Sequence, residues 1–201
     1  TETTHRRNRQ SLDSIAFRPR VLRDVTTVDY RTTLLGHPLR APFFIAPIGS
    51  LQGLDSSAAL GAAKAAERFG VPSFLSSVSQ PALEEVGAAT RHPKIFQLYV
   101  KGDRQWVAEH VARAIGAGFV GLCLTVDTAL YSRRERDLLT RYSPLSQPRA
   151  SGWEFQASLS WDLVKWYKDH YSLPLVLKGI ATPEDATLAL EHGADVIYVS
   201  N

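Results

Sequence analysis

Six short apolar runs in this 201-residue chain end in residues that can hydrogen-bond or carry charge: Pro47-Ile48-Gly49, Ser76-Ser77, Gln97 with Tyr99, Thr125 with Asp127, Lys178, and Ser200. Amide, hydroxyl and ammonium groups together supply the donors and acceptors that the edge of a flat heteroaromatic ring requires. Gly49 would let the backbone approach such a ring closely, and Lys178 would offset negative charge developing on it. Taken singly, each has a plainer reading: Ser76 as a helix cap, Gln97 as an inward core group, Lys178 as a surface amine. Their coincidence at the ends of six runs favours a common site.

The stretch Gly121-Leu-Cys-Leu-Thr-Val-Asp127, followed by Arg133-Arg134-Glu135, concentrates this pattern. Thr125 and Asp127 are two apart, so in an extended chain both face one side. Charge at the end of a buried strand is costly unless it is used. The segment therefore reads as the rim of an active site, against the alternative of a strand end with a surface ion pair. No nucleophile and base pair accompanies it, and the six histidines are scattered without metal-ligand spacing. The set implies an organic cofactor.

The elements that would position these residues repeat along the chain. Ala65-Ala-Glu-Arg-Phe-Gly70 runs into Val71 to Ser76, Ala114-Ile-Gly-Ala-Gly118 into Phe119 to Leu124, and Leu190-Glu-His-Gly193 into Ala194 to Val199. Each is a helical pattern, a glycine suited to a left-handed cap, and a short apolar strand. With Phe43 to Ala46, Lys94 to Val100 and Pro174 to Lys178, six strands are expected. Helix starts are marked by Asp55-Ser-Ser and by Thr182-Pro183-Glu184-Asp185.

Continuous apolar strands alternating with helices predict a parallel sheet covered by helices. A doubly wound sheet would carry a glycine-rich turn after its first strand, and Pro47 to Gly53 does not supply one. A (β/α)₈ TIM barrel is favoured, incomplete at about six of eight strands, because such barrels take ~250 residues. Residues 1–40, with Arg6, Arg7, Arg9, Arg18, Arg20 and Arg23, read as an extension packing on the barrel, and 41–201 as its first six strands with a long loop at 136–160. Pro144, Pro148 and Gly152 break any long element in that loop.

Composition excludes other classes. Apolar residues make up 44% and charged residues 21%, an ordinary globular balance, and a net charge of +3 does not call for nucleic acid. No apolar run approaches the ~18 residues that would cross a bilayer. The lone cysteine, Cys123, sits inside an apolar run and fits a reducing cytoplasm.

The runs Phe17-Arg-Pro-Arg-Val-Leu-Arg-Asp-Val25, Ile45-Ala-Pro47, Phe96-Gln-Leu-Tyr-Val100, Leu124-Thr-Val-Asp-Thr128, Arg133-Arg-Glu135, Leu159-Ser-Trp-Asp162, Val176-Leu-Lys-Gly-Ile180 and Val199-Ser-Asn201 resemble the FMN-dependent L-2-hydroxy-acid oxidase and dehydrogenase family. Glycolate oxidase, L-lactate dehydrogenase and mandelate dehydrogenase are members. The resemblance covers essentially the whole chain and implies FMN as cofactor, oxidation of a small L-2-hydroxy acid to the 2-oxo acid, and a cytoplasmic homo-oligomer, tetramer or larger, without nucleic-acid or membrane partners.

Carried over by position, the resemblance implies that Pro47, Ile48 and Gly49 border flavin N5, that Ser76, Gln97 and Thr125 bond the ring edge, that Lys178 faces its N1 and C2 carbonyl side, and that Ser200 lies at the same site. Tyr99 would hydrogen-bond the substrate, Arg134 would pair with its carboxylate, and Asp127 would orient a catalytic histidine. Family members place that histidine directly after a Ser-Asn pair, so a chain ending at Asn201 is expected to lack it and to be inactive alone. Ile48, Ala129 and Val78 depart from residues common in the family. Two alternatives stay open: a flavin barrel of another reaction type, such as an isomerase, and an inactive incomplete barrel serving as an interaction subunit.

Overall fold

The computed structural model describes residues 2–130, 134–142 and 152–200. The chain divides into two compact units, one of Thr1–Tyr30 with Tyr131–Ser143 and one of Arg31–Leu130 with Pro144–Asn201. In the smaller unit, α1 (Glu2–Asp13) carries an Arg9–Asp13 ion pair one turn apart, and Arg136 of α5 (Glu135–Thr140) reaches Glu2 at 2.7 Å.

The larger unit opens with the hairpin β1 (Thr32–Leu34) and β2 (His37–Leu39), turned by Leu35 and Gly36. Then follow a 3₁₀ turn (Leu51–Gly53) and α2 (Ala58–Phe69), β3 (Ser73–Ser76), α3 (Leu83–Ala89), β4 (Lys94–Leu98), α4 (Arg104–Gly116) and β5 (Gly121–Thr125). After α5 come α6 (Trp153–Ala157), α7 (Trp161–His170), β6 (Leu175–Ile180), α8 (Pro183–Glu191) and β7 (Val196–Val199). The five strands β3 to β7 form one parallel sheet in which every strand pairs with its successor in sequence. A doubly wound sheet reverses its strand order at a switch point, whereas a barrel wall advances steadily, so this topology selects the barrel.

Alternation along each strand separates two apolar cores. Leu75, Phe96, Leu98, Leu122, Leu124, Leu175 and Leu177 face the helices and pack with Val107, Val111, Val164 and Tyr167. Phe74, Ile95, Cys123 and Val176 face the other way and pack with Leu34 and Leu35 of the hairpin region and with Phe44 and Tyr198. Burying both faces requires the nearly continuous apolar strands seen in the sequence. Lys94, at the start of β4, is buried and donates to the Thr90 and His92 carbonyls, and burial holds its pKa below the usual lysine range.

Two expectations are altered by the structure. The run Phe43 to Ala46 forms a single parallel bridge, Ile45 to Ser73, in place of a first strand. Pro42 and Pro47 flank it and contribute no N–H to a ladder. The helix start marked by Asp55-Ser-Ser holds, since α2 begins at Ala58; Ser57 makes no capping side-chain bond, and Asp55, two residues before it, accepts from the Ser57 amide at 2.7 Å. The stretch expected as one loop at 136–160 contains α5 and α6, since its prolines bar a long helix and leave room for short ones, while residues 143–151 lie outside the described part. The cap at Thr182 forms as expected, its Oγ1 accepting from the Asp185 amide at 3.2 Å. Gly70, Gly118 and Gly193 all adopt positive φ at the helix-to-strand steps.

Candidate active site

At the carboxyl end of the sheet, strand register lays the polar residues side by side above the inner apolar core. Ser76 pairs in register with Gln97, Thr125 with Lys178, and Lys178 with Tyr198. Gln97 and Thr125, both almost fully buried, are joined directly: the Gln97 amide donates to Thr125 Oγ1 at 2.7 Å. Lys178 is half-buried with its Nζ 5.6 Å from the centre of the Tyr198 ring, a cation over an aromatic face.

The loops beyond the strands are tied to this row. Ser77 Oγ accepts from the Tyr99 amide at 3.1 Å, fixing the backbone that carries the half-buried Tyr99. Pro47, Ile48 and Gly49 follow the Ile45 bridge, and Ser50, in the left-handed region at φ 58°, donates its amide to the Val78 carbonyl at 3.0 Å. Strand β5 stops at Thr125, so alternation does not itself orient Asp127, which is exposed and accepts from Thr128 Oγ1 at 3.1 Å. Its position is set by Gly179 instead: a Cβ there would lie 2.6 Å from Asp127 Cβ and 2.9 Å from its backbone nitrogen.

The larger unit thus brings Ser76, Gln97, Thr125, Lys178, Tyr99 and the Pro47-Ile48-Gly49 turn to one end of one sheet, with Ser200 directly after β7 and Asp127 against Gly179. Arg134 belongs to the smaller unit, exposed at the start of α5 with extended backbone. Arg133 and Asn201 lie outside the described residues. Two residues that sequence reasoning passed over also sit here. Ser50 adjoins Gly49, and Gln156 of α6, 1% exposed, bonds to both β4 and β5 ends. Only adjacency to Gly49 could have signalled Ser50; Gln156 lies in a segment whose breaks concealed a helix.

Two buried hydroxyls at the site lack a partner that a polar planar ligand could supply. Ser50 Oγ and Ser200 Oγ are shielded from solvent and have no hydrogen-bond partner among the described residues. A buried hydroxyl without a partner is uncommon and marks a place where another group is due. The donors available, three serines (Ser50, Ser76 and Ser200), an amide, a threonine and an ammonium, match a ring edge bearing carbonyl and imine acceptors. Among the described residues no cluster of histidine, cysteine or acidic groups could hold a metal. Cys123, beneath the row, is no nucleophile, because burial pushes its thiol up to about 12.

That shift carries a stability prediction. A thiol of ordinary pKa ~8.5 ionises in the unfolded chain before it does in the folded one, so its contribution is complete below pH ~8.5 and lost as pH rises toward the folded value. Wild type is expected to lose roughly 2 kcal/mol more than Cys123→Ala between pH 7 and pH 10. Urea unfolding of both proteins at the two pH values checks this, and equal losses would refute it.

A sheet advancing strand by strand, with ring-edge donors gathered at its carboxyl end, defines a barrel of the kind that holds a planar organic cofactor. The chain belongs to the FMN-dependent dehydrogenase family, whose profile matches residues 1–201. Glycolate oxidase of Spinacia oleracea is 38% identical, over 96% of this chain and 58% of that protein. L-lactate oxidase of Nostoc sp. is 37% identical, over 100% of this chain and 62% of its own length. Among solved structures, mandelate oxidase with 3,3-difluoro-2-hydroxy-3-phenylpropionic acid superposes with a TM-score of 0.86 at 34% identity, covering 96% of this chain and 58% of that one. A tyrosine-to-phenylalanine variant of mandelate oxidase with a C4a-OH-FMN adduct gives 0.85 at 33%. The sheet is an open part of the (β/α)₈ barrel, and the chain spans about 60% of the length of the curated relatives it matches.

Proposed function

We propose that the full-length protein uses FMN to oxidise a small L-2-hydroxy acid to the 2-oxo acid. The observation that carries this reading is the joined row of Ser76, Gln97, Thr125 and Lys178 at the carboxyl end of the sheet, within a chain of the FMN-dependent dehydrogenase family. The relatives named above, oxidases of glycolate, L-lactate and mandelate, support the substrate class.

The reaction removes two electrons and two protons from the hydroxy acid, and bound FMN would supply the two-electron acceptor. Gln97, Thr125 and Ser76 would hold the ring edge, with Ser50 and Ser200 supplying further hydroxyls. Lys178 would place a fixed positive charge where negative charge develops, which is effective because it needs no reorganisation. Tyr99 would hydrogen-bond the substrate, Arg134 would take its carboxylate in a two-point contact, and Asp127 would orient the proton-accepting group.

Anaerobic mixing of the FMN-loaded full-length protein with glycolate, L-lactate or L-mandelate is expected to bleach the flavin absorbance. No bleaching by any L-2-hydroxy acid would reject the proposal. Arg134→Ala is expected to raise KM about tenfold to a hundredfold, the scale of a charge-assisted contact, with a smaller fall in kcat. An unchanged KM would remove Arg134 from the carboxylate site.

A further inference from the structure

Gln156 stands outside the donor row, yet it is bonded to the backbone on both sides of it. Its Oε1 accepts from the Val100 amide at 2.8 Å, and its Nε2 donates to the Thr125 carbonyl at 2.5 Å. Val100 directly follows Tyr99, and Thr125 is both the partner of Gln97 and the residue two before Asp127. The side chain is 1% exposed, so these bonds are made away from water. The helix that carries it is seated on the same strand end: Gly152, at φ 100°, lies so close to Lys101 that a Cβ there would meet the Lys101 carbonyl oxygen at 2.9 Å. Segment 152–156 thus crosses the ends of β4 and β5 and is fixed at both crossings.

We propose that Gln156 is a positioning residue for the flavin site, a clamp that holds the Tyr99–Val100 and Thr125 backbones in the spacing at which Gln97, Thr125 and Tyr99 act together. This rests on the functional reading above and extends it to a residue that touches neither flavin nor substrate. The chemistry of the side chain suits the task. A primary amide presents an acceptor and a donor at fixed separation, and the site needs one of each. An alanine leaves a buried N–H and a buried C=O unpaired. A neutral carboxylic acid can replace both functions, since its carbonyl accepts from Val100 and its hydroxyl donates to Thr125. An ionised carboxylate has no proton for the Thr125 carbonyl.

The test compares FMN dissociation constants, by fluorescence, for wild type, Gln156→Ala and Gln156→Glu in the full-length protein across pH 5 to 9. Wild-type affinity sets the baseline at each pH and corrects for charged groups shared by all three, namely Lys101, Asp127, Lys178 and Glu154. Gln156→Ala is expected to bind FMN roughly tenfold more weakly throughout, the scale of a lost buried hydrogen bond. Gln156→Glu is expected to match wild type at the acid end, where burial keeps the new carboxyl neutral, and to weaken to the alanine level as it ionises. In the flavin-free protein, the Val100 amide is expected to lose hydrogen-exchange protection in Gln156→Ala and to keep it in Gln156→Glu at low pH.

Both variants binding FMN like wild type would overturn the clamp and leave the proposed function standing. So would a Gln156→Glu affinity that is weak at every pH, because proton-dependent rescue is the signature of the two bonds. A wild-type protein that binds no FMN would overturn the functional reading itself, and the clamp with it.

Discussion

Gly179→Ala is expected to cost this chain about 3 kcal/mol of stability and to dislodge Asp127. Two independent effects add. At φ 108° an L side chain is strained, by about 1–3 kcal/mol where surrounding structure enforces the angle. The added methyl would also meet Asp127 at Cβ, Cγ and backbone nitrogen, all within 2.9 Å. Overpacking of that kind costs another ~1–3 kcal/mol, and a backbone atom cannot rotate aside as a flexible side chain can. Either β6 shifts at its carboxyl end, next to Lys178, or the turn after β5 moves and takes Asp127 with it. Both outcomes disturb the candidate site, so the activity of the full-length protein is expected to fall ~100-fold even where the fold survives. Gly116→Ala is the matched control: it ends α4, and a Cβ there meets nothing within 4 Å. Its unfolding free energy should stay level or rise by up to ~1 kcal/mol, with its urea midpoint following, as propensity predicts. A Gly179→Ala midpoint equal to that of the control would show that the turn is not tightly packed.

The contrast between these two glycines shows what the sequence could reveal. Gly70, Gly118 and Gly193 were readable as caps because each closes a helical pattern and precedes an apolar strand, a local signature with a local cause. The same locality made strands β3 to β7 legible, and with them the row from Ser76 to Lys178, because strand ends follow from where apolar runs stop. Gly179 carried no such signal. It directly follows Lys178 near the end of β6 and closes no helical pattern, and its need for hydrogen in place of a side chain comes from Asp127, 52 residues away in sequence. The Gln156 bonds to Val100 and Thr125 span 56 and 31 residues and are likewise invisible to a reading of neighbours. The Phe43 to Ala46 run failed as a strand for a related reason: apolar character marks burial, but a ladder needs a partner at every second residue, and here pairing is confined to Ile45. The roles of Tyr99, Asp127 and Arg134 came from resemblance, since nothing in spacing assigns a carboxylate partner to an arginine.

Lys178→Met is expected to weaken FMN binding about a hundredfold while leaving the fold nearly intact. Methionine keeps an unbranched apolar stem of similar length, so packing on β6 is preserved. What the substitution removes is the ammonium beside Thr125 at the carboxyl end of the sheet, together with its contact to the Tyr198 ring. The ring contact accounts for only ~0.5–1 kcal/mol at a half-exposed position. A hydrogen bond from a charged donor to a ligand is worth ~1.5–3 kcal/mol, which is the source of the larger expected effect. Catalysis in the full-length protein should suffer beyond binding, because a preorganised charge acts most strongly where charge develops, and its loss costs ~10²–10³ in rate. Lys178→Arg separates charge from shape. The guanidinium keeps the positive charge but spreads it over a planar fork that a compact ammonium site does not fit, so only partial recovery is expected. If Lys178 were a surface amine, neither substitution would alter FMN affinity, and the urea midpoints of all three proteins would coincide. Flavin fluorescence titrations on wild type, Lys178→Met and Lys178→Arg, read alongside those midpoints, therefore decide between a functional ammonium and a solvated one.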